Sequence, residues 1–237
     1  MKILHVHAKA NITITLPTDL LRLLPKRVLL FTTIQCYHQF ETIKEQLVAA
    51  GITPIVAKTI HTRHPGQILG CNTQNFSEYI ADSFDAILYV GDGLFHPTAL
   101  QMKNEVDVHA YDPFTNTISL VKSEDVAVIR KQEQAAKSAF YLAENVGVLV
   151  STKPGQQFLR HAKKLETLYP QKKFYYLLDN TLDIGGLEDF PFIEVFVNTA
   201  CPRIALDEKE KFRKPIVNLE DVSNEFLEHQ LSSAKNN

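Results

Sequence analysis

Nowhere in this chain do about 18 apolar residues run together, so no segment is expected to cross a membrane as a helix. A basic stripe is also missing. Lys and Arg number 25 against 27 Asp and Glu, a formal net charge of −2. The longest basic clusters, Lys163-Lys164 and Lys172-Lys173, read as solvated helix and turn positions, so no direct nucleic-acid contact is expected. Cysteine is scarce: Cys36, Cys71 and Cys201 are odd in number and far apart. That excludes a disulfide framework and leaves inert buried thiols or a metal site. There is no C-x-x-C and no compact ferredoxin-type cluster motif. Nor is there a Ser-His-Asp arrangement, an H-E-x-x-H pair or a phosphate-binding G-x-x-x-x-G-K. The opening MKILHVHAKA reads as a short buried strand interrupted by histidines rather than a signal peptide, which makes the expected location cytoplasmic.

What is present is enough for one large domain or two ordinary ones: 237 residues, 45% hydrophobic and 22% charged. Apolar runs alternate with helical patterns. Arg27–Thr33 suits a strand buried on both faces, Glu41–Ala50 a helix stopped by Gly51, and Thr53–Lys58 the next strand. A polar loop through Pro65-Gly66 leads to Cys71. Asn75–Ser83 looks helical, Ala86–Val90 is a buried strand, and Thr98–Asn104 is a helix. Strands at Val108–Tyr111 and Thr117–Val121 complete this half. The polar, Ala-rich stretch Ser123–Glu144 reads as a helical connector, after which the plan restarts. Asn145–Ser151 matches the first strand, Gln156–Tyr169 its helix, Lys173–Leu178 the second strand, and Phe192–Asn198 the third. The expected fold is therefore α/β: two repeated units with mainly parallel central sheets flanked by helices, offset by about 115 residues.

In parallel sheets of this kind, ligands lie beyond the carboxyl ends of the strands. Thr32, Thr33, Gln35, Gly91, Asp92, Ser151, Thr152, Asn198 and Cys201 all fall at such ends. Two units facing each other through these edges would enclose a shared site. Any one cysteine read alone is better explained as a small buried hydrophobe. Context singles out two of them. Cys71 follows Gly70, where backbone can approach a ligand closely, and Cys201 ends a buried strand just before Pro202-Arg203, whose guanidinium suits a carboxylate. His96, after the Gly91-Asp92-Gly93 turn, is either a ligand contact or a strand-end histidine bonded to a carbonyl, and His38 is similar. His61 and His64 flank Arg63 in a basic loop, and His5 and His7 alternate on one strand face.

The phrases PGQILGCN and FVNTACPRIALD resemble the cysteine motifs of the second and third domains of the diphthamide-biosynthesis enzymes. LLFTTIQCYHQF, YVGDGLFHP, VGVLVSTKPGQ and KPIVN match in order, so the likeness runs from about Lys26 to Val222. The resemblance implies a pseudo-threefold architecture of three similar α/β domains, each giving one cysteine to a 4Fe-4S cluster. The cluster's open iron holds S-adenosyl-L-methionine, whose cleavage yields a 3-amino-3-carboxypropyl radical that adds to a histidine of translation elongation factor 2. On this reading residues 1–25 are an N-terminal strand and linker left from the first domain, 26–122 correspond to the second domain, and 123–237 are a connector helix and the third. Cys71 and Cys201 become cluster ligands, and Cys36 stands either as a replacement third ligand or as a buried bystander. The implied cofactor-binding set is Thr32, Thr33, Gln35, Gly91, Asp92, Gly93, His96, Ser151 and Arg203. No catalytic side chain is singled out. A homodimer or heterodimer is expected. The alternatives are a supporting subunit that binds a catalytic partner, and a zinc-binding structural module built on the same thiols.

Overall fold

The computed structural model describes residues 6, 8–60, 62–72, 74–78, 80, 82–153, 155–207, 209–224 and 226. The chain divides between Ala127 and Val128 into two compact units. In the first, α1 (Thr18–Leu23) precedes β1 (Arg27–Thr32), α2 (Phe40–Ala49), β2 (Thr53–Ile55), β3 (Ala86–Val90), α3 (Phe95–Lys103), β4 (Val108–Asp112) and β5 (Thr117–Val121). The sheet order is β2-β1-β3-β4-β5, parallel except for the antiparallel β4–β5 pair. Every residue of β3 is buried, and so is β1 from Val28 onward. A strand apolar on both faces is stable only where helices or loops cover both faces, which puts these two in the interior of the sheet. On α2, Ile43 and Leu47 face the core while Val48 stays exposed. The helix ends at Gly51, whose φ of 76° is the left-handed conformation a helix stop requires.

The second unit contains α4 (Ala127–Leu142), β6 (Asn145–Ser151), α5 (Leu159–Ala162), α6 (Lys164–Leu168), β7 (Lys173–Asp179), β8 (Val195–Asn198), α7 (Ile204–Asp207), β9 (Ile216–Asn218) and α8 (Leu219–Val222). Its sheet, β7-β6-β8-β9, is wholly parallel and repeats the order of β2-β1-β3-β4, so the expected duplication of an α/β unit is present. Val146, Val148, Val150, Val195 and Val197 pack on one face with Phe140 and Leu165. Leu149, Phe196 and Ile216 pack on the other. Glu194 ties the start of β6 to β8 by accepting the N–H groups of Glu144 (2.9 Å) and Asn145 (2.7 Å), which hold its carboxyl below the usual carboxylate range.

Several local expectations are corrected. Met1–His5 and His7 lie outside the described residues, but Val6 and Ala8–Ala10 form no strand, and Val6 is exposed. The approach to the core is instead pinned at Ile14 and Leu16 by side chains of α2 and its lead-in. Gln46 accepts the Leu16 N–H at 2.7 Å and donates to the Ile14 carbonyl at 3.0 Å. Among its described residues Asn75–Ser83 contains only a single 3-10 turn, Phe76–Glu78, and Gln156–Tyr169 breaks into α5 and α6 at Lys163. β2 stops at Ile55 and β8 begins only at Val195, while α3 starts three residues early, at Phe95. α1, β9 and α8 were not anticipated. Lys172 is not solvated: it is 9% exposed, and its ammonium donates to the carbonyls of Tyr141 (3.0 Å) and Ala143 at the end of α4. Burial lowers its pKa, against the pull of Glu194 and Glu144, while the helix-end carbonyls supply the partners a buried cation needs.

Phe140 anchors this corner. It is fully buried, meets Tyr169 edge-on at 5.0 Å and lies beneath the Lys172 ammonium. Phe140→Ala is expected to lower unfolding stability by about 3–5 kcal/mol, read from the denaturant midpoint. A loss below about 1 kcal/mol would show that the α4 packing is not required.

Candidate functional site

In both sheets the strand order reverses between the first and third strands of the unit, β1 and β3 in one and β6 and β8 in the other. A crevice opens beyond the carboxyl ends at such a point. In the first unit its floor is tightly bonded. The Thr32 hydroxyl crosses from β1 to donate to the Val90 carbonyl of β3 at 2.6 Å. Where β2 has stopped, the loop 66–68 continues along β1: Thr32 N–H donates to the Gly66 carbonyl (2.8 Å) and Ile68 N–H to the Thr32 carbonyl (3.0 Å). Gly66 is required there, with φ of 77° and the Phe40 ring 2.1 Å from where a Cβ would sit. At Gly70 the Phe95 ring comes equally close, so the backbone before Cys71 lies flat against the start of α3.

The Cys71 loop is held from beneath by buried polar side chains. Asn72, 1% exposed, accepts the Leu69 N–H at 2.8 Å and donates to the Ile60 carbonyl at 3.0 Å. Gln67 accepts the N–H groups of Arg63 and His64 (3.0 and 3.2 Å). The Thr59 hydroxyl lies 3.0 Å from the Gln67 carbonyl and 3.1 Å from Asn72 Oδ1. With its neighbours fixed in this way, Cys71 is half-exposed on a rigid turn.

The adjoining Gly91-Asp92-Gly93 turn is built over Tyr89. The fully buried ring of Tyr89 sends its hydroxyl to the Asp92 carbonyl (3.1 Å), and His96 Nδ1 lies 3.1 Å from the Tyr89 hydroxyl oxygen. A carbonyl can only accept, so the Tyr89 hydroxyl is the donor in its bond to Asp92. A Cβ on Gly91 would stand 2.5 Å from the Tyr89 hydroxyl, which explains the glycine. Burial raises the Tyr89 pKa, as do the charges of Asp92, Cys36 and Asp112 in that order. Asp112 accepts N–H groups from Gly93 (3.2 Å), Phe114 (2.8 Å) and Thr115 (3.3 Å). Desolvation pushes its carboxyl up, but these donors and the Thr115 hydroxyl outweigh it and leave the pKa lowered.

In the second unit Cys201 leaves β8 in a turn held by two asparagines. Asn198 donates to the Cys201 carbonyl (2.9 Å) and to Asn218 Oδ1 of β9 (2.7 Å), and it accepts the Ala200 N–H (3.1 Å). Asn218 in turn donates to the Pro202 carbonyl at 3.1 Å. Thr199 is tied to the Leu149 carbonyl of β6 by its N–H (3.0 Å) and its hydroxyl (2.8 Å). Cys201 is half-exposed and Arg203 is 6% exposed.

The structure gathers Thr32, Thr33, Cys36, Gly91, Asp92, Gly93 and His96 at the carboxyl end of the first sheet, with the Cys71 loop beside them. Ser151, Cys201 and Arg203 lie at that of the second. Ser151 is 3% exposed and accepts the Lys153 N–H at 3.1 Å. Gln35 is exposed, and its carbonyl bonds the Ala10 N–H and His38 Nδ1, the bland alternative for His38. His64 stacks on Tyr37 at 4.5 Å, and His5, His7 and His61 lie outside the described residues. Cys36 is wholly buried in the apolar core with Phe40, Leu30 and Val90. Burial pushes its thiol pKa up; the neighbouring Thr33 hydroxyl pulls it down, and Asp92 and Asp112 add to the rise. Within each unit, among the described residues, no three His, Cys, Asp or Glu side chains converge as a metal-binding group. Sequence reasoning missed Tyr89, Asp112, Gln67, Asn72 and Asn218. The signal for Asn72 was its place directly after Cys71, and for Tyr89 an aromatic two residues before a glycine that forms a tight turn. A separate cleft of about 260 Å³, lined by Ile184, Leu187, Pro191, Phe196, Phe212 and Arg213, lies toward the amino ends of β8 and β9, away from Cys201.

Taken together these features define a duplicated α/β protein that carries one half-exposed cysteine at the ligand edge of each sheet. A family model described as "Putative diphthamide synthesis protein" matches residues 1–229, and the chain belongs to that family. It is 34% identical over 203 residues to the 2-(3-amino-3-carboxypropyl)histidine synthase of Pyrococcus horikoshii, covering 84% of this chain and 57% of that protein. The human 2-(3-amino-3-carboxypropyl)histidine synthase subunit 1 is 27% identical, covering 91% of this chain and 49% of its own length. A crystal structure of Dph2 from Pyrococcus horikoshii with a 4Fe-4S cluster superposes with a TM-score of 0.69 at 31% identity, over 85% of this chain and 57% of that one. The chain thus spans about half the length of the curated relatives it matches.

Accessibility separates the three thiols. Iodoacetamide at neutral pH is expected to label Cys71 and Cys201 in the native protein and to reach Cys36 only after denaturation, as peptide mass mapping would report. Equal labelling of Cys36 in the native state would contradict its burial.

Proposed function

We propose that this chain takes part in the first step of diphthamide synthesis. In that step the 3-amino-3-carboxypropyl group of S-adenosyl-L-methionine is transferred to a histidine of translation elongation factor 2. Cys71 and Cys201 would be thiolate ligands of a 4Fe-4S cluster. The observation that carries this reading is the recurrence, in two units of like topology, of a half-exposed cysteine at the carboxyl edge on a turn clamped by buried asparagine. In this scheme residues 26–122 and 123–237 stand for the second and third family domains, residues 1–25 stand for the end of the first, and the protein works in the cytoplasm.

The thiols suit such a cluster in kind, since thiolate is its usual ligand. They do not suit it in number. Two cysteines are accessible, and Cys36 sits in the core with a raised pKa, a state that opposes ligation. A further thiolate would therefore come from outside these two units, and a homodimer or heterodimer is the proposed source. When bound, the cluster supplies an electron and an open iron for cleaving the sulfonium. The chain's own part is to position the substrate. Arg203 offers a guanidinium to the carboxylate of the methionine portion, the more strongly for lying in a desolvated site. In the proposal the Gly91–Gly93 turn, Thr32, Thr33 and His96 would contact the ligand from the first unit. Ser151 and Gln35 complete the proposed contact set.

The shortage of accessible thiols favours one second reading, that of a supporting subunit whose catalytic partner holds the complete cluster. Anaerobic reconstitution with iron and sulfide, followed by Mössbauer and EPR spectroscopy, distinguishes the two. The enzyme reading expects a 4Fe-4S signal in the wild type, tighter S-adenosyl-L-methionine binding than in the apo form, and loss of both in Cys71→Ala and Cys201→Ala. Cys36→Ala should keep them. Full cluster content in the Cys71→Ala/Cys201→Ala double variant would reject the ligand assignment. A wild type that takes up no cluster alone but raises the turnover of a catalytic relative would establish the supporting role.

A further inference from the structure

The cleft on the second unit takes no part in the proposed chemistry, yet it is a firmly built cavity. Its walls are two short stretches of chain, 184–191 and 212–214, and its floor is Phe196 of β8. Two bridges fix the spacing of the walls. The Lys214 ammonium donates to the carbonyls of Phe190 (2.8 Å) and Pro191 (3.1 Å) on the opposite wall. Arg213 Nε meets Glu188 Oε1 at 2.6 Å, and both of these side chains are well exposed, which places them at the mouth. Phe196 is 2% exposed and seated over Gly147, where a Cβ would come within 2.7 Å of its ring. The Phe212 ring lies 6.4 Å from it, and Ile184 and Leu187 complete an apolar interior. A volume of about 260 Å³ falls just below that of pockets for drug-sized ligands, so it suits a smaller molecule with one large apolar group.

We infer that the cleft binds a free α-amino acid with an aromatic or large aliphatic side chain. The class follows from the charges at the mouth. A ligand set between the walls meets the Glu188 carboxylate on one side and the Arg213 guanidinium on the other, the complement of an ammonium and a carboxylate carried on one carbon. The bridge between these two residues leaves both contacts open. It engages only Nε and Oε1, so the two terminal nitrogens of Arg213 and Glu188 Oε2 have no described partner. The terminal nitrogens can take the ligand carboxylate, and Oε2 its ammonium, without the bridge being broken. The side chain enters the interior, where the tilted rings of Phe196 and Phe212 suit a third ring. Its burial supplies most of the affinity, because exposed charge pairs alone contribute little. A ligand of one charge would leave Glu188 or Arg213 unanswered. A polar side chain would lose its hydration among Ile184, Leu187, Phe196 and Phe212 without gaining a hydrogen bond. The cleft lies toward the amino end of β8, away from Cys201, and binding there does not depend on a cluster.

Isothermal titration calorimetry of the full chain with L-phenylalanine tests it. Saturable binding is expected. Phenylpropionate, which lacks the ammonium, and phenethylamine, which lacks the carboxylate, should each bind roughly tenfold more weakly, and glycine should give no signal. Arg213→Gln should weaken L-phenylalanine roughly tenfold and leave phenethylamine unchanged. Glu188→Gln should weaken L-phenylalanine and leave phenylpropionate unchanged. Ile184→Trp fills the cleft and should abolish binding, with an unchanged circular dichroism spectrum to show that the protein is folded. Should that variant not fold, the two charge-removing variants carry the same test. No saturation by L-phenylalanine up to about 10 mM overturns the proposal, as does an analogue that binds as tightly or binding indifferent to Arg213→Gln. Equal affinity for N-acetyl-phenylalaninamide overturns it too, by making a segment of protein chain the occupant.

Discussion

Burial of the central strands on both faces is the constraint on which the rest depends. β1, β3, β6 and β8 carry apolar side chains above and below the sheet, so none is stable at an open face. Each unit therefore places these strands together at its centre. That central pair is also where the strand order reverses and where the carboxyl ends leave space. The site is thus a by-product of the packing: the residues that follow the most apolar strands must emerge at the crevice. Thr32-Thr33, Gly91-Asp92, Ser151 and Cys201 have this position in common.

Polar residues then do at the edge what apolar ones do in the core. An asparagine buried beside each exposed cysteine has little freedom, because leaving its amide unbonded would cost about 1–3 kcal/mol. Asn72 meets that demand by bonding the backbone of Leu69 and Ile60 before its cysteine, and Asn198 by bonding Ala200 and Cys201 itself. The same logic governs Tyr89, whose hydroxyl is buried only because Gly91 has no Cβ to displace it. A half-exposed thiol on such a turn keeps a fixed direction whether or not anything is bound to it.

The duplication was legible because continuous apolar runs such as VLLFT, AILYV and VGVLVS can hardly be read as anything but buried strands. The candidate edge followed from them by the general rule for parallel sheets. Elements stabilised by tertiary contacts were not legible. The segment Ile14–Leu16 is ordered by Gln46, a residue with no special signal in sequence, and Lys172 looks like any surface lysine until the end of α4 is seen beside it. Asn75–Ser83 has a helical pattern, but its Phe76 N–H is bonded to the side chain of Asn104. The burial of Cys36 could not be read either, since a thiol just past a strand end can point to the crevice or to the core, and only packing around Phe40 and Val90 decides.

The two cysteine turns differ in how far along the chain their supports lie. Thr59, Gln67 and Asn72 all sit within the stretch that contains Cys71, so that loop can close as soon as it is made and laid against β1. The Cys201 turn is closed locally only in part, by Asn198 bonding the Ala200 N–H and the Cys201 carbonyl. Its brace runs from Asn198 to Asn218, a residue of the last strand, and through Asn218 back to Pro202. During synthesis at the ribosome, Cys201 therefore passes through a period in which its turn lacks the Asn218 brace. Only when β9 has emerged and docked beside β8 does the second cysteine acquire the geometry that the first has held from early on.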